Sequence, residues 1–283
     1  MHHRSLSLYF VASAILLLQG CAVTLDNGDV FTLRDKHSPP AVMQLEPDLD
    51  RARVAEVTID AGTRRFLGYR FAAPSPKRAL IFFPGNGYGA PAALSRIARV
   101  FGDSQTDVYI LSYGQPDEVV PSVSQVYEMG SGIAAYAAAT SGIPHTRVIA
   151  IGHSLGGWVA LKLASTHSIG CAVVVGTGTT AAETAAHLVP KPLSWFATFR
   201  PTPDVALLNN IDLAKQSRVP TLVVGSEADD VMPSDRSRTI FGQLGSISLS
   251  ELYVSSSATH GGYFRDIAVV EKIHAFMRTR CDA

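Results

Sequence analysis

The sequence predicts an α/β domain with a mostly parallel central sheet and helices on both of its faces. From residue 53 onward, short apolar runs alternate with longer segments whose apolar residues recur at helical spacing. Two of the runs, 148–151 and 172–175, are apolar at every position. Such runs are typical of strands buried on both sides of a parallel sheet. With 283 residues, 47% of them hydrophobic, the chain is long enough to bury a sheet of this kind.

The first twenty residues are predicted to be an export signal. A short basic start is followed by an apolar stretch at 6–18, which is too short to span a membrane comfortably. Leu18, Gly20 and Cys21 then resemble a bacterial lipobox, a signal whose cysteine is lipidated and becomes the mature N-terminus. The resemblance implies a lipoprotein with a signal peptide at 1–20. A cleaved soluble export signal and an uncleaved anchor are the alternatives.

Residues 21–52 are expected to form a lipid-anchored tether, because they contain several prolines and no sustained periodicity. Ala22 follows the cysteine, where enterobacterial sorting signals for the inner membrane carry aspartate. The resemblance therefore implies a cell-envelope protein of the outer membrane, facing the periplasm, rather than of the inner membrane. Residues 53–283 are assigned to the folded domain.

The elements of the domain follow one another as strands and helices. Because the first two strands are joined by a turn at 61–62 and not by a helix, the sheet is expected to begin with an antiparallel pair. The segment at about 177–217 breaks the alternation with prolines and aromatic residues, and we expect it to be a cap inserted between two core strands. The predicted strands are 54–60, 66–73, 79–83, 108–111, 147–151, 172–175, 222–224 and 249–254, and the predicted helices are 92–101, 123–139, 157–165 and 267–278.

One serine stands between glycines where a predicted strand becomes a helix. Gly152, Ser154 and Gly156 fit the G-x-S-x-G nucleophile elbow, a sharp turn that exposes the serine hydroxyl and leaves no room for bulky neighbours. A glycine-rich turn with an ordinary N-capping serine is the structural alternative. The strand before Ser154 and the helix after it favour a nucleophile. His153 lies beside it, and we expect that side chain to pack or to support a residue of the site, because consecutive residues of the turn point in different directions.

The partners of such a serine are expected in the order acid and then histidine. A serine hydroxyl is a weak nucleophile until a base takes its proton and a carboxylate orients that base. Asp229 and Asp230 follow the strand at 222–224, and His260 follows the strand at 249–254. His260 is therefore the predicted base, and from the order of residues alone both aspartates are candidates for the acid.

With these residues the chain resembles the α/β-hydrolase superfamily over roughly 53–280. The family pattern after the acid-bearing strand is G-x-x-x-D-x-x-x-P, which Gly225, Asp229 and Pro233 match. The resemblance therefore implies Asp229 as the acid, with Asp230 as the alternative. It also implies the α/β-hydrolase fold, with a short cap insertion over the site.

The resemblance further implies an oxyanion hole made of two backbone N–H groups. One belongs to Leu155, directly after the nucleophile, and the other to Asn86, in the loop after the strand at 79–83. Pro84 stands in this loop where family members usually carry a histidine. That departure leaves the backbone N–H of Asn86 in place.

The cap contains an aromatic cluster. Trp195, Phe196 and Phe199 lie within five residues of one another. Because the resemblance places the cap over the site, we expect these side chains to bind the substrate by lining an acyl pocket or contacting lipid. The alternative is that they only hold the cap on the domain.

Several other classes of site are not expected. The formal net charge is zero and no run of like charge occurs, so a nucleic acid is not an expected partner. The histidines and cysteines show no zinc spacing, and no phosphate-binding loop is present, so we expect no metal and no cofactor. In an oxidising compartment, Cys171 and Cys281 either form a disulfide or remain two free thiols.

Together these features predict a membrane-anchored serine hydrolase that cleaves an acyl ester through an acyl-enzyme. Ser154 is the nucleophile, His260 the base and Asp229 the acid. Carboxylic ester hydrolysis of the esterase or lipase kind is the favoured reaction, with a small-molecule or lipid acyl compound as substrate. A thioesterase, acyltransferase or peptidase on the same fold remains possible, as does a non-catalytic binding lipoprotein.

Overall fold

The computed structural model describes residues 21–31, 49–86, 90–114, 119–190, 197–245 and 249–281. The strands are β1 Cys21–Leu25, β2 Val54–Ala61, β3 Arg64–Phe71, β4 Arg78–Phe83, β5 Thr106–Leu111, β6 Val148–His153, β7 Cys171–Val175, β8 Ala197–Pro201, β9 Thr221–Ser226 and β10 Glu251–Ser255. The helices are α1 Asn27–Val30, α2 Ala90–Phe101, α3 Val123–Ser141, α4 Gly156–Ser165, α5 Ala181–Leu188, α6 Asn210–Gln216, α7 Ser234–Gln243 and α8 Ile267–Phe276.

Eight of the strands form one sheet in the order β10-β9-β7-β6-β4-β5-β3-β2. The pairs β2–β3 and β3–β5 are antiparallel, and the remaining pairs are parallel. The predicted α/β architecture and its antiparallel start are therefore confirmed. Because β6 lies inside the sheet between β4 and β7, the turn that follows it opens above the middle of the sheet.

The apolar strands supply two separate cores, one on each face of the sheet. Along β6, Val148 and Ala150 pack in the layer that contains α3 and α4, whereas Ile149 and Ile151 pack in the layer that contains α2 and α8. Successive side chains of a strand point to opposite faces. A strand covered on both faces must therefore be apolar at every position, as the sequence of β6 is.

Some elements differ from those predicted. Helix α7 was not predicted, because it is largely polar and Ile240 is its one buried apolar residue. The closing helix ends at Phe276 and continues as a π-helical turn at Met277–Cys281. None of the helices in the described part of the chain is both long and apolar enough to cross a membrane.

The beginning of the expected tether is docked on the domain. Strand β1 pairs in parallel with β8 in a separate two-stranded sheet. Leu25 and Phe31 are buried in the core on the α3 and α4 face of the sheet, which we call the main core, and the ring of Phe31 lies 5.8 Å from that of Tyr113. We call residues 21–31 the N-terminal strap. Its five-residue strand is too short to show a clear period in the sequence. Its partner strand lies in the cap, far along the chain, so no local pattern predicts the pairing.

Cys171 and Cys281 form a disulfide, with their Cα atoms 5.6 Å apart. Cys171 is the first residue of β7, and Cys281 ends the turn after α8. Because parallel strands carry a site at their carboxyl ends, this bond lies at the opposite end of the sheet from the site. Of the two alternatives left by the sequence, the structure has the disulfide.

Candidate active site

Ser154 follows β6 in a backbone conformation that residues other than glycine rarely adopt. Its φ is 52°, in the left-handed region. A Cβ atom on Gly152 would lie 2.1 Å from the carbonyl oxygen of Gly156, and one on Gly156 would lie 2.0 Å from that of Phe83. The two glycines are therefore sterically required, as expected for a nucleophile elbow.

Hydrogen bonds from the neighbouring strand hold this strained turn. The N–H of Ser154 donates to the carbonyl oxygen of Val175 at 2.9 Å. Its own carbonyl oxygen accepts from the hydroxyl of Thr177 at 2.8 Å and from the N–H of Gly157 at 3.0 Å. These contacts fix the backbone on both sides of the serine.

The structure brings Asp229 against His260. Nδ1 of His260 lies 2.9 Å from Oδ2 and 3.1 Å from Oδ1 of Asp229. Asp229 is buried, whereas Asp230 is exposed. His260 also lines the cavity that contains Ser154. Asp229 is therefore the aspartate placed to orient the imidazole.

The carboxylate of Asp229 accepts further hydrogen bonds. Its Oδ1 accepts from the N–H groups of Met232 at 2.7 Å and Val231 at 3.0 Å, and its Oδ2 accepts from the hydroxyl of Tyr263 at 2.8 Å. Burial raises the pKa of Asp229, but the hydrogen bonds, led by that from His260, outweigh it, so the pKa lies below its usual value. The carboxylate is therefore ionised at neutral pH.

His153 contacts the backbone of the predicted base. Its Nε2 lies 2.8 Å from the carbonyl oxygen of His260, and the two ring centroids are 4.9 Å apart. Burial lowers the pKa of His153 to about 4, so the ring is neutral at pH 7. Because a carbonyl oxygen only accepts, Nε2 carries the proton. The expected packing role therefore includes a hydrogen bond that holds the loop of His260.

The two predicted oxyanion donors lie beside the serine. Asn86 and Leu155 both line the cavity with Ser154. Gly85 passes so close to the elbow that a Cβ atom on it would lie 3.2 Å from Cβ of Ser154. The hydroxyl of Tyr113 donates to the carbonyl oxygen of Pro84 at 2.8 Å, so this loop is held although it lacks the usual histidine.

The cavity over Ser154 has a volume of about 350 Å³ and is lined largely by apolar side chains. Its walls come from the strap, from helix α5 of the cap and from the loop that carries Asp229. The apolar residues that line it are Leu25, Val30, Leu155, Trp158, Ala181, Ala185, Leu188, Leu208, Val231 and Met232. The cavity is thus suited to an apolar group attached to the carbon that the serine attacks.

Of the predicted aromatic cluster, Phe199 is the residue that the structure describes. Phe199 lies on β8, packs against the main core and is not among the described residues that line the cavity. Trp195 and Phe196 lie outside the described residues. Phe199 thus has the holding role that was the alternative, and helix α5 lines the cavity beside the serine.

Sequence reasoning missed the contributions of α5 and the strap. The cap sequence does carry a signal for α5, because Thr180 caps it and accepts from the N–H of Glu183. Leu25 and Val30 carried no comparable signal. Their place in the wall depends on the pairing of β1 with β8, which joins distant parts of the chain.

No protein-family model and no curated protein sequence matches the chain. Solved structures do resemble it. A Pyrococcus furiosus esterase aligns with a TM-score of 0.66 at 12% identity, over 89% of this chain and 99% of its own. An acetyl xylan esterase from Paenibacillus sp. R4 aligns with a TM-score of 0.60 at 14% identity, over 82% and 87%.

A third structure, a puromycin-hydrolyzing peptidase from Mycobacterium tuberculosis, aligns with a TM-score of 0.64 at 18% identity, over 80% of this chain and 39% of its own. At sequence identities this low, the structural alignments compare folds and not activities. With the strand order and the helices on both faces, they show that the chain has the α/β-hydrolase fold.

Proposed function

We propose that the protein is a serine hydrolase that cleaves carboxylic esters with an apolar acyl group. The observation that carries this proposal is the contact between buried Asp229 and His260, because His260 lines the cavity that also contains Ser154 in its strained turn. The esterase and peptidase names of the structural neighbours are consistent with hydrolysis. The apolar cavity wall favours an acyl ester.

In the first half of the reaction, the hydroxyl oxygen of Ser154 attacks the ester carbonyl carbon while its proton passes to Nε2 of His260. Asp229 stabilises the imidazolium through Nδ1. The N–H groups of Leu155 and Asn86 donate to the oxyanion. The carbon–oxygen bond to the leaving alcohol then breaks, and the alcohol takes the proton from His260.

In the second half, a water molecule attacks the acyl-enzyme and gives its proton to His260. The bond between the acyl carbon and Ser154 breaks, the carboxylic acid leaves, and the proton returns from His260 to the serine oxygen. The enzyme is thus regenerated without a cofactor in this scheme.

We also propose that Cys21 carries a lipid, and that the protein resides in a bacterial cell envelope, at the outer membrane facing the periplasm. The lipobox-like residues Leu18, Gly20 and Cys21 support this placement. Mass spectrometry of the mature N-terminus tests it. The expected result is an acylated Cys21, and a mature protein that begins elsewhere would contradict it.

The catalytic proposal is tested with a fluorophosphonate probe and with p-nitrophenyl esters of increasing acyl length. We expect the wild type to be labelled and active, and Ser154→Ala to lose both properties while keeping its fold. Ser165→Ala is the matched control and should behave as the wild type, because Ser165 ends helix α4, which begins two residues after Ser154. Wild-type protein that neither reacts with the probe nor turns over an ester would identify a binding protein instead.

A further inference from the structure

No flexible segment lies between Cys21 and the domain, because Cys21 is itself the first residue of β1. Cys21 lies opposite Ala197 and Leu25 lies opposite Pro201 in the β1–β8 pair. The N–H of Thr202 continues the pairing by donating to the carbonyl oxygen of Leu25 at 2.9 Å. The chain is therefore held on the cap from its first described residue.

Helix α1 fixes the other half of the strap. Asp26 caps the helix by accepting from the N–H of Gly28 at 2.7 Å. The side chain of Asn27 hydrogen-bonds Asp204, a carboxylate that also accepts from the N–H of Val123 at 2.7 Å. Phe31 is 2% exposed and ends the strap in the main core. The strap is thus joined to the cap and to the start of α3.

The strap is also part of the cavity wall. Leu25, Asp29 and Val30 line the cavity that contains Ser154 and His260. A strand rises about 3.3 Å per residue, so the Cα atom of Cys21 lies about 13 Å along β1 from that of Leu25. A flexible 30-residue tether would instead have allowed a separation of roughly 30 Å. A group attached at Cys21 therefore stays near the cavity.

Two exposed apolar side chains belong to the strap and to helix α5, both of which line the cavity. Leu188 lines the cavity and is 56% exposed, so it lies at the mouth. Val23, on the docked strand, is 38% exposed. Both side chains would be covered if this surface rested on the acyl region of a bilayer.

We infer that the strap holds the mouth of the cavity against the membrane and that the substrate is an acyl ester resident in that membrane. This inference rests on the proposed hydrolase function and on lipidation of Cys21. The anchor fixes the domain at the surface, and the docked strand fixes the side of the domain that faces it. The substrate then enters the apolar cavity from the lipid phase.

The test uses the lipidated full-length protein in phosphatidylcholine–phosphatidylglycerol vesicles. The vesicles carry 4-methylumbelliferyl palmitate, and p-nitrophenyl acetate serves as the soluble substrate. One variant has a 20-residue Gly/Ser linker between Cys21 and Ala22, begun with alanine so that the residue after the cysteine is unchanged. The control variant has the same linker between residues 40 and 41, which lengthens the chain without separating the anchor from the strap.

The linker after Cys21 should lower turnover of the embedded ester at least fivefold and leave p-nitrophenyl acetate turnover within twofold of the wild type. The control linker should change neither rate. Equal turnover of the embedded ester by all three proteins would overturn the inference while leaving the hydrolase proposal intact. If the wild type hydrolysed neither substrate, the proposed function itself would be contradicted.

Discussion

The hydroxyl of Tyr263 lies 2.8 Å from Oδ2 of Asp229, the same carboxylate oxygen that lies 2.9 Å from Nδ1 of His260. Tyr263 is fully buried, and burial together with the charge of Asp229 raises its pKa, so the phenol stays protonated and donates a hydrogen bond to the carboxylate. Two donors thus share one oxygen of the acid. Tyr263 is therefore a positioning residue that also moderates how strongly Asp229 holds the imidazole.

Tyr263→Phe should shift the pH dependence of the reaction. Without the phenol, Asp229 has one donor fewer and holds the protonated imidazole more strongly, so the acid limb of the kcat/KM profile should move to higher pH. The carboxylate is also less firmly oriented against His260 without the phenol, and this loss of positioning outweighs the stronger attraction. We therefore expect kcat at pH 8 to fall about 3- to 10-fold, which is part of the roughly 1.5–3 kcal/mol that one hydrogen bond to a charged group is worth. The profile is measured with p-nitrophenyl acetate.

Tyr109→Phe is the matched control for that variant. Tyr109 is also fully buried and contacts a buried aspartate, Asp107, but that pair lies at the other end of the sheet. Its removal should leave the pH profile unchanged. A shift of the same size in both variants would show a general loss of packing and contradict the positioning role.

Asp229→Asn should lower kcat by about 10⁴-fold, because an amide would hold His260 in the wrong tautomer. Asp230→Asn should change kcat less than threefold, because Asp230 is exposed and its carboxylate does not contact the histidine among the described hydrogen bonds. Both variants are assayed at pH 8 with their folds checked by circular dichroism. A larger loss at Asp230 would reverse the assignment of the acid.

His153 should make the protein less stable in mild acid. Its pKa is about 4 in the folded protein, against an ordinary value of 6.5. Between these values the unfolded chain takes up a proton that the folded protein does not, so the free energy of unfolding falls as the pH falls from 6.5 to 4. The full effect is about 3 kcal/mol.

Urea unfolding at several pH values measures this effect. In His153→Gln the side-chain amide can still donate to the carbonyl oxygen of His260 but does not titrate, so the fall below pH 6.5 should be smaller by about 3 kcal/mol. His145→Gln, at an exposed position, should keep the wild-type pH dependence. Parallel curves for wild type and His153→Gln would exclude His153 as the cause.

Leu188→Ala should lose activity in proportion to acyl length. Leu188 lines the cavity at its mouth, where a longer chain would pack. One buried methylene is worth about 0.8 kcal/mol, so kcat/KM on octanoyl esters should fall roughly 4- to 10-fold, with less than a twofold change on acetyl esters. Leu207→Ala is the control, because Leu207 is 45% exposed but does not line the cavity. Equal losses on both esters would place the acyl chain elsewhere.

The sequence could predict the sheet and the positions of Ser154, Asp229 and His260 because local patterns carry them. Each of these residues follows an apolar strand, and the elbow glycines are dictated by clashes within a few residues. The cavity wall could not be predicted in the same way. Phe199 packs against the core rather than in the wall, and the orientation of β8 that decides this depends on distant parts of the fold.

The strap shows the same limit more clearly. Leu25 belongs to a strand whose partner is β8, so no window of local sequence contains both. Helix α7 is a different case, because its polar composition hides a single buried apolar contact at Ile240. Long-range pairing and partial burial are thus what the sequence alone left undetermined.

The pairing of Cys21 with Ala197 also sets an order of events during biogenesis. More than half of the chain separates the two residues, so β1 has no partner until the cap has been synthesised. Contacts of such long sequence separation form late, because the intervening chain must first be ordered. The cavity therefore acquires the wall that the strap supplies late in folding, and the proposed modification of Cys21 has the time before that step in which to occur.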